Sequence, residues 1–347
     1  MKLYVLLIYL IHCINGESVT SLGMISREEP NVQRSCTMER AYKMIGFVCT
    51  NLNLKEIPQH LRSSLEILDV SFNRIRELNE HSFSRYTDVR YLYLFENMIQ
   101  SIGPNTFAQL TYLEAIDLST NGLTTLPMEL FSLPALRHLH AADNPMIHLH
   151  KDLKNVSKPV SAPLKLINLS SCKLNKVPDF GVLPDLWKLN ISSNDMLDIT
   201  PQQLSPLCGL TTIDVNNTRI PPCPCHTLVT YFRKRSIAVA NGLHCDNSAE
   251  ELIYCANVSN STIDAESFEY CTSLQKEKRL QEKSKFTWMS VFCGLSGFFV
   301  VFMGMLYCFH RRNVRRIRET EQITKLKQIH QTEKNQNIEL LIRKEGA

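Results

Sequence analysis

The sequence predicts an α/β solenoid with disulfide caps, followed by one transmembrane helix. Three observations predict it: a repeated apolar pattern, cysteines gathered at both ends of the repeats, and one long uncharged run near the C-terminus. The pattern L-x-x-L-x-L-x-x-N-x-L starts at Leu65, Val89, Leu113, Leu136, Leu164, Leu186 and Leu210, at offsets of 24, 24, 23, 28, 22 and 24 residues. A unit of that length cannot bury its own apolar face. Stacked copies share one continuous core and present an extended concave surface. Such a chain is suited to binding rather than to catalysis.

The phase of the repeat assigns each side chain a direction. In the first copy Leu65, Leu68, Val70 and Ile75 point inward, while Glu66, Ile67, Asp69 and Ser71 line the concave sheet. An asparagine column runs through Asn73, Asn97, Asn121 and Asn144, then reads Cys172, Asn194 and Thr218. Buried backbone groups at the turn after each strand need partners, and a carboxamide supplies both donors and acceptors. Cys172 is accordingly expected to be a buried free thiol. Phe83, Phe107 and Phe131 each follow Leu78, Ile102 and Leu126 by five residues, which predicts an aromatic spine behind the sheet. These motifs resemble the leucine-rich repeat, and the resemblance implies a horseshoe of seven repeats over residues 65–220.

The ends of the chain divide it further. Residues 1–16 have a basic start at Lys2, an apolar stretch from Leu3 to Ile11 and a small Gly16, the pattern of a signal peptide. An N-terminal cap is expected over 17–64, a C-terminal cysteine-rich cap over 221–275 and a juxtamembrane linker over 276–285. The run 286–309, Phe286 to Phe309, is 24 residues without a charge. As a helix it is about 36 Å long, enough to cross a hydrocarbon core of about 30 Å. The tail, 310–347, opens with Arg311, Arg312, Arg315, Arg316 and Arg318. A cleaved leader and an inner cluster of arginines agree on a type I single-pass protein of the plasma membrane with its N-terminus outside. The formal charge of +4 hides an asymmetry: the tail has ten Lys/Arg against five Glu, so it holds +5 and the rest about −1. That distribution suits anionic inner-leaflet lipids and gives no reason to invoke nucleic acid.

Nine of the twelve cysteines fall in the exported part, where disulfides persist. Cys36 and Cys49 frame the N-terminal cap. Past the last repeat, Cys223, Cys225, Cys245 and Cys271 resemble the cysteine-rich cap of extracellular leucine-rich-repeat proteins, which implies pairs Cys223–Cys245 and Cys225–Cys271. Cys208 and Cys255 are extra to that plan, and pairing with each other is one option for them. Six N-x-S/T sequons lie outside, at Asn155, Asn168, Asn190, Asn216, Asn257 and Asn260. Asn168 and Asn190 take the same strand position in consecutive repeats, so glycans there would project from the concave sheet. Cys308, at the inner end of the span, is a candidate for palmitoylation.

The concave columns of the early repeats differ from the later ones. Tyr91, Tyr93 and Phe95 share one strand, His138 and His140 share another, and Asp117 lies between them. Exposed aromatics on a rigid sheet are the residues that anchor protein interfaces; they also suit cross-strand packing. His138 and His140 are about 6.6 Å apart along one strand, but no further ligand completes a metal shell. No phosphate-binding glycine loop, H-E-x-x-H or G-x-S-x-G is present, so neither an enzyme nor a cofactor is expected.

The whole plan resembles the small extracellular leucine-rich-repeat membrane proteins, most of all the short synaptic and neuronal adhesion members, insect Lapsyn-like proteins included. The resemblance implies recognition of an extracellular or cell-surface protein, with adhesion, homophilic contact or co-reception as the output. The gamma-type auxiliary subunits of potassium channels share the plan, and there the span and the arginines would act on the channel.

Overall fold

The computed structural model describes residues 35–155, 160–245 and 265–345. The expected signal peptide, Cys255, Asn257 and Asn260 lie outside them. The chain divides into two units, Met1–Lys276 and Glu277–Ala347.

In the first unit every repeat contributes one three-residue strand. A hairpin, β1 (Thr37–Ala41) and β2 (Met44–Val48), opens the sheet. It is followed by β3 (Ile67–Asp69), the short β4 (Glu77–Leu78), β5 (Tyr91–Tyr93), the short β6 (Ser101–Ile102), β7 (Ala115–Asp117), β8 (His138–His140), β9 (Leu166–Asn168), β10 (Lys188–Asn190), β11 (Thr212–Asp214) and β12 (Ala238–Val239). Ten of these form one sheet in the order β1-β2-β3-β5-β7-β8-β9-β10-β11-β12, and β4 pairs with β6 in a second, two-stranded sheet. The β1–β2 pair is antiparallel, and the pairs that follow are parallel and in repeat register, as Leu68↔Leu92 and Leu92↔Ile116 illustrate.

The strands stop after three residues for a backbone reason. The eighth position of every repeat has a positive φ: Phe72, Glu96, Thr120, Asp143, Ser171, Ser193 and Asn217 lie between 50° and 59°. None is glycine, so each repeat accepts a conformation that costs an L-residue roughly 1–3 kcal/mol. The ninth residue ties the corner down. Asn121 donates through Nδ2 to the carbonyls of Leu94, Leu118 and Ser119 and accepts from Ile99 N. Asn73, Asn97, Asn144 and Asn194 repeat that lattice, each reaching the preceding repeat as well as its own.

Cys172 fills this position as a buried free thiol. Its Sγ donates to Ala141 O and Ser170 O, but it lacks the carbonyl acceptor of a carboxamide. Met146 N turns instead to the Cys172 and Asn144 carbonyls. Burial pushes the thiol pKa up to about 12, so it stays neutral.

Behind the sheet a continuous core of leucine, isoleucine and phenylalanine runs from Cys49 to Ile237. Fully burying each large side chain stabilises by roughly 1.5–3 kcal/mol. Phe83 and Phe107 stack with ring centroids 5.6 Å apart, and Phe131 meets Phe180 at 5.8 Å. Phe180 extends the aromatic spine beyond the three positions that regular spacing marks. The second halves of the repeats otherwise hold a 3₁₀ turn (Met128–Ser132), α1 (Leu149–Lys154) in the longest repeat, and α2 (Pro201–Leu204).

The caps close the two ends. Cys36–Cys49 staples the hairpin, whose tip is Tyr42 and Lys43, both at positive φ. At the other end α3 (Pro222–Arg235) buries Cys225, Leu228, Tyr231 and Phe232 along one face and ends in a left-handed Ser236. Its cysteine pairing departs from the pairing that the family resemblance implies. Cys225 bonds Cys245, and Cys208 bonds Cys271. Cys223–Cys245, Cys225–Cys271 and Cys208–Cys255 are therefore not formed. The reason is geometric: residues two apart on a helix point about 200° from each other. Cys225 is the one turned inward toward the β12 side, 2% exposed with its Cα 5.7 Å from that of Cys245. Cys223 is disulfide-bonded as well.

The second bond fixes the start of α4 (Ala265–Glu345) to the turn ahead of β11. Gln275 Nε2 donates to Pro184 O, and the Arg235 guanidinium lies 3.2 Å from the Phe268 ring centroid. A Cβ on Gly209 would stand 2.3 Å from that same Pro184 oxygen, so only glycine fits there.

The second unit is the remainder of α4. Residues 276–285, the expected juxtamembrane linker, are helical. The apolar segment is long enough to cross a membrane by length and composition, and its side chains are exposed throughout.

Candidate functional site

Seven parallel strands present their third and fifth residues on one open face. Alternation on β5 puts Tyr91 and Tyr93 there, and Phe95 follows two residues later on the same side. Phe72, from the preceding repeat, meets Phe95 edge to face at 5.2 Å and is 42% exposed. The result is a ridge of aromatic rings running along one strand. It is half-buried rather than free-standing: Tyr91, Tyr93 and Phe95 are each partly covered, and burial raises the Tyr91 pKa. Small residues flank it, with Ala115 in register with Tyr91 and with Ser71 and Ser119 two residues past β3 and β7. Several open-face positions are closed off. Ile67 is 9% exposed and lies against Gly46, and Ser71, Ser119, Ala142 and Leu166 are buried as well.

Asp69, Tyr93 and Asp117 stand in one row across β3, β5 and β7. Each aspartate accepts a backbone N–H two residues on, Ser71 N at 3.0 Å and Ser119 N at 2.9 Å, which fixes the side chain. Burial, and then the nearby Asp117 and Glu39 charges, hold the Asp69 carboxyl above the ordinary range, against the Ser71 hydrogen bonds that lower it. His140 continues the row beside Asp117, and His138 lies two residues earlier on β8. Burial lowers the pKa of both, more than Asp117 raises that of His140, so both are neutral at neutral pH. Among the described residues, no three His, Cys, Asp or Glu side chains converge as a metal site would require.

A ladder of ions borders this row on the N-terminal side of the strands. Arg90 Nε lies 3.3 Å from Glu66, its other nitrogen 3.3 Å from Glu114, and Arg137 reaches Glu114 at 2.7 Å. Each pair is part-exposed and contributes little by itself, but the chain of four fixes the edge of the face. Reading single repeats misses it. Reading the second position down the repeats (Glu66, Arg90, Glu114, Arg137) reveals it, because residues one repeat apart are cross-strand neighbours.

The later strands carry a different surface. Asn168 and Asn190 are directly in register on β9 and β10. Their Oδ1 atoms accept from Ser170 N and Ser192 N, and their Nδ2 atoms, where a glycan would attach, make no hydrogen bond among the described residues. Lys165, Trp187 and Lys188 precede them in their repeats. Asn155 caps the end of α1, away from this sheet, and Asn216 is exposed past β11. Cys308 is an exposed free cysteine of α4.

A family model described as leucine rich repeat matches residues 63–123 and 96–146. The repeats have the leucine-rich-repeat fold. The chain is 30% identical to Tsukushi from Mus musculus over 198 residues, covering 49% of this chain and 56% of that one. It is 31% identical to Toll-like receptor 2 type-2 from Gallus gallus over 165 residues, covering 47% of this chain and 20% of the receptor. The chain thus spans about half the length of Tsukushi and a fifth of the receptor. Among solved structures, human 5T4 (Wnt-activated inhibitory factor 1, trophoblast glycoprotein) matches with a TM-score of 0.48 and 20% identity, over 62% of this chain and 91% of that one. After its repeats the chain carries a long C-terminal helix that contains the apolar segment.

Proposed function

We propose that this protein is a type I plasma-membrane receptor or adhesion protein that recognises a partner protein through the open face of its first four repeats. The observation that carries the reading is the contrast along one sheet. Aromatic rings and fixed carboxylates occupy β3 to β8, whereas glycosylation sequons in register occupy β9 and β10. A glycan on a strand excludes a protein from neighbouring strands, so a partner is directed to the early repeats. Tyr91, Tyr93, Phe95, Asp117, His138 and His140 are the contact residues in this reading. The apolar segment of α4 anchors the protein, and the arginines after it stay inside. A partner role is supported by the receptor-type relatives, and a synaptic setting is the specific form that the family resemblance suggests.

The test is capture of a cell-surface partner by the full chain, scored against surface level. Tyr93→Ala should weaken capture by about thirtyfold, since truncating an aromatic anchor costs about 2 kcal/mol or more. Asp117→Asn completes a sequon with Ser119 and should abolish it. Normal capture by both variants would place the site elsewhere. The potassium-channel reading rests on the run Arg311 to Arg318 behind the apolar segment. Replacing 286–309 with a foreign membrane helix separates the two, since a receptor face keeps its partner and a channel subunit loses its effect.

A further inference from the structure

The aromatic ridge narrows the kind of partner that the first four repeats can accept. On their open face, at the third, fifth, seventh and eighth positions of each repeat, the charged residues are Asp69, Glu96, Asp117 and Asp143. No lysine or arginine occupies any of those positions. The four ions of the neighbouring ladder cancel one another, two acidic and two basic. The face therefore carries uncompensated negative charge around a row of π faces. At the same positions of the following repeats the charged residues are Lys188 and Asp214, one of each sign, so that part of the face carries no net charge.

Register gives this charge a specific shape. Neighbouring strands are about 4.8 Å apart, so carboxylates on β3 and β7 flank the Tyr93 position at about that distance on either side. Both are held by backbone N–H groups from Ser71 and Ser119, which keeps them from swinging away. A ring between two fixed carboxylates suits one chemistry above others. A guanidinium or ammonium group over the ring gains from the π quadrupole and from both charges, and its aliphatic stem can lie along Phe95 and Phe72. An acidic or neutral polar segment would meet repulsion or leave the carboxylates without a counter-charge.

We propose that the Asp69–Tyr93–Asp117 row is a seat for an arginine or lysine side chain projected by a basic segment of a protein partner. This rests on the reading of the early open face as the binding site, and it adds the chemistry of what binds. The ring anchors the cation, the carboxylates select its sign, and the Phe72–Phe95 pair receives the apolar stem beside it.

The test places a photo-reactive benzoylphenylalanine at Tyr93 in the full chain on cells, with a second at Trp187 as the comparison site. Asp69→Ser/Asp117→Ser is the charge variant, because asparagine at either position would complete a sequon with Ser71 or Ser119. Surface level is measured for every variant. The expected result is cross-linking from position 93 into a peptide with lysine or arginine within about three residues of the linked atom, and a loss of about tenfold or more in capture by the double serine variant. A linked peptide without basic residues, or undiminished capture by the serine variant, overturns the cationic seat while the binding face stands. Cross-linking from Trp187 alone overturns the face as well as the seat.

Discussion

Repeats one to four and repeats five to seven are built on the same internal lattice, yet they present different surfaces. In both halves the strands are three residues long, the eighth residue takes a left-handed conformation, and the ninth residue closes the corner. The fifth-position column reads Asp69, Tyr93, Asp117 and His140 in the first half, then Asn168, Asn190 and Asp214 in the second. The inner positions are dictated by backbone groups that must find partners away from water. The outer positions are free of that demand, so they can diverge. Architecture and recognition are thus separated by side-chain direction within a single three-residue strand.

The largest effect should come from the C-terminal staple. Cys208→Ser should destabilise the cap by about 2–5 kcal/mol and retain the protein in the secretory pathway. It should also expose a free thiol on Cys271, mapped by alkylation and mass spectrometry. A new thiol on any other cysteine would refute the Cys208–Cys271 pairing. This end depends on the bond because α3, β12 and the start of α4 bring far less apolar surface than the stacked repeats.

Next in size is the difference between the two kinds of corner residue. Asn144→Ala leaves Leu123 N and three carbonyls without their partner, a loss of about 3 kcal/mol if unsatisfied groups cost about 1–3 each and some find water. Cys172→Ala should cost about 1 kcal/mol, since only a weak thiol donor is removed. Cys172→Asn should do the reverse and stabilise, by restoring the missing acceptor near Met146. Thermal unfolding of the three variants would rank them, and equal losses for Asn144→Ala and Cys172→Ala would break the lattice account.

Thr120→Asn should stabilise by about 0.5–1 kcal/mol, because a β-branched residue at φ 55° is among the least suited to that corner. Denaturant midpoints would detect it, and a loss of stability would show that the Thr120 side chain makes a contact the turn needs. The smallest effect concerns pH. His138 and His140 have lowered pKa values, so above pH of about 6.5 both folded and unfolded forms are neutral and no penalty arises. Below that value the unfolded chain takes up protons first, and stability falls with pH until the folded pKa is passed. Replacing both with glutamine should flatten the melting temperature between pH of about 7 and about 5. An unchanged slope would assign the acid sensitivity to other groups, His150 among them, whose pKa burial also lowers.

How far the sequence can be read follows the same division. The inward leucines and the asparagine column are legible because each repeats one residue type at a fixed offset, so the seven copies check one another. Cys172 is legible as a ladder residue for the same reason. The disulfide partners of the C-terminal cap are not, because that cap occurs once and its pairing depends on which way Cys223 and Cys225 point from α3, whereas Cys36 and Cys49 stand alone at the N-terminal cap and do pair. The charge ladder and the Asp69–Tyr93–Asp117 row are hidden in another way. They join residues about one repeat apart that become neighbours only when repeats are aligned strand to strand. Phe180 escapes the spine pattern because its repeat departs from the regular spacing, although its ring meets Phe131 in space.

The claim that the early face is open and the later one shielded can be tested without any partner. Glycopeptide mass spectrometry of the full chain recovered from the cell surface would measure occupancy at Asn168 and Asn190. The account predicts a glycan on both sites in most molecules. Unmodified asparagine at both positions would leave β9 and β10 as accessible as β5 and would contradict it.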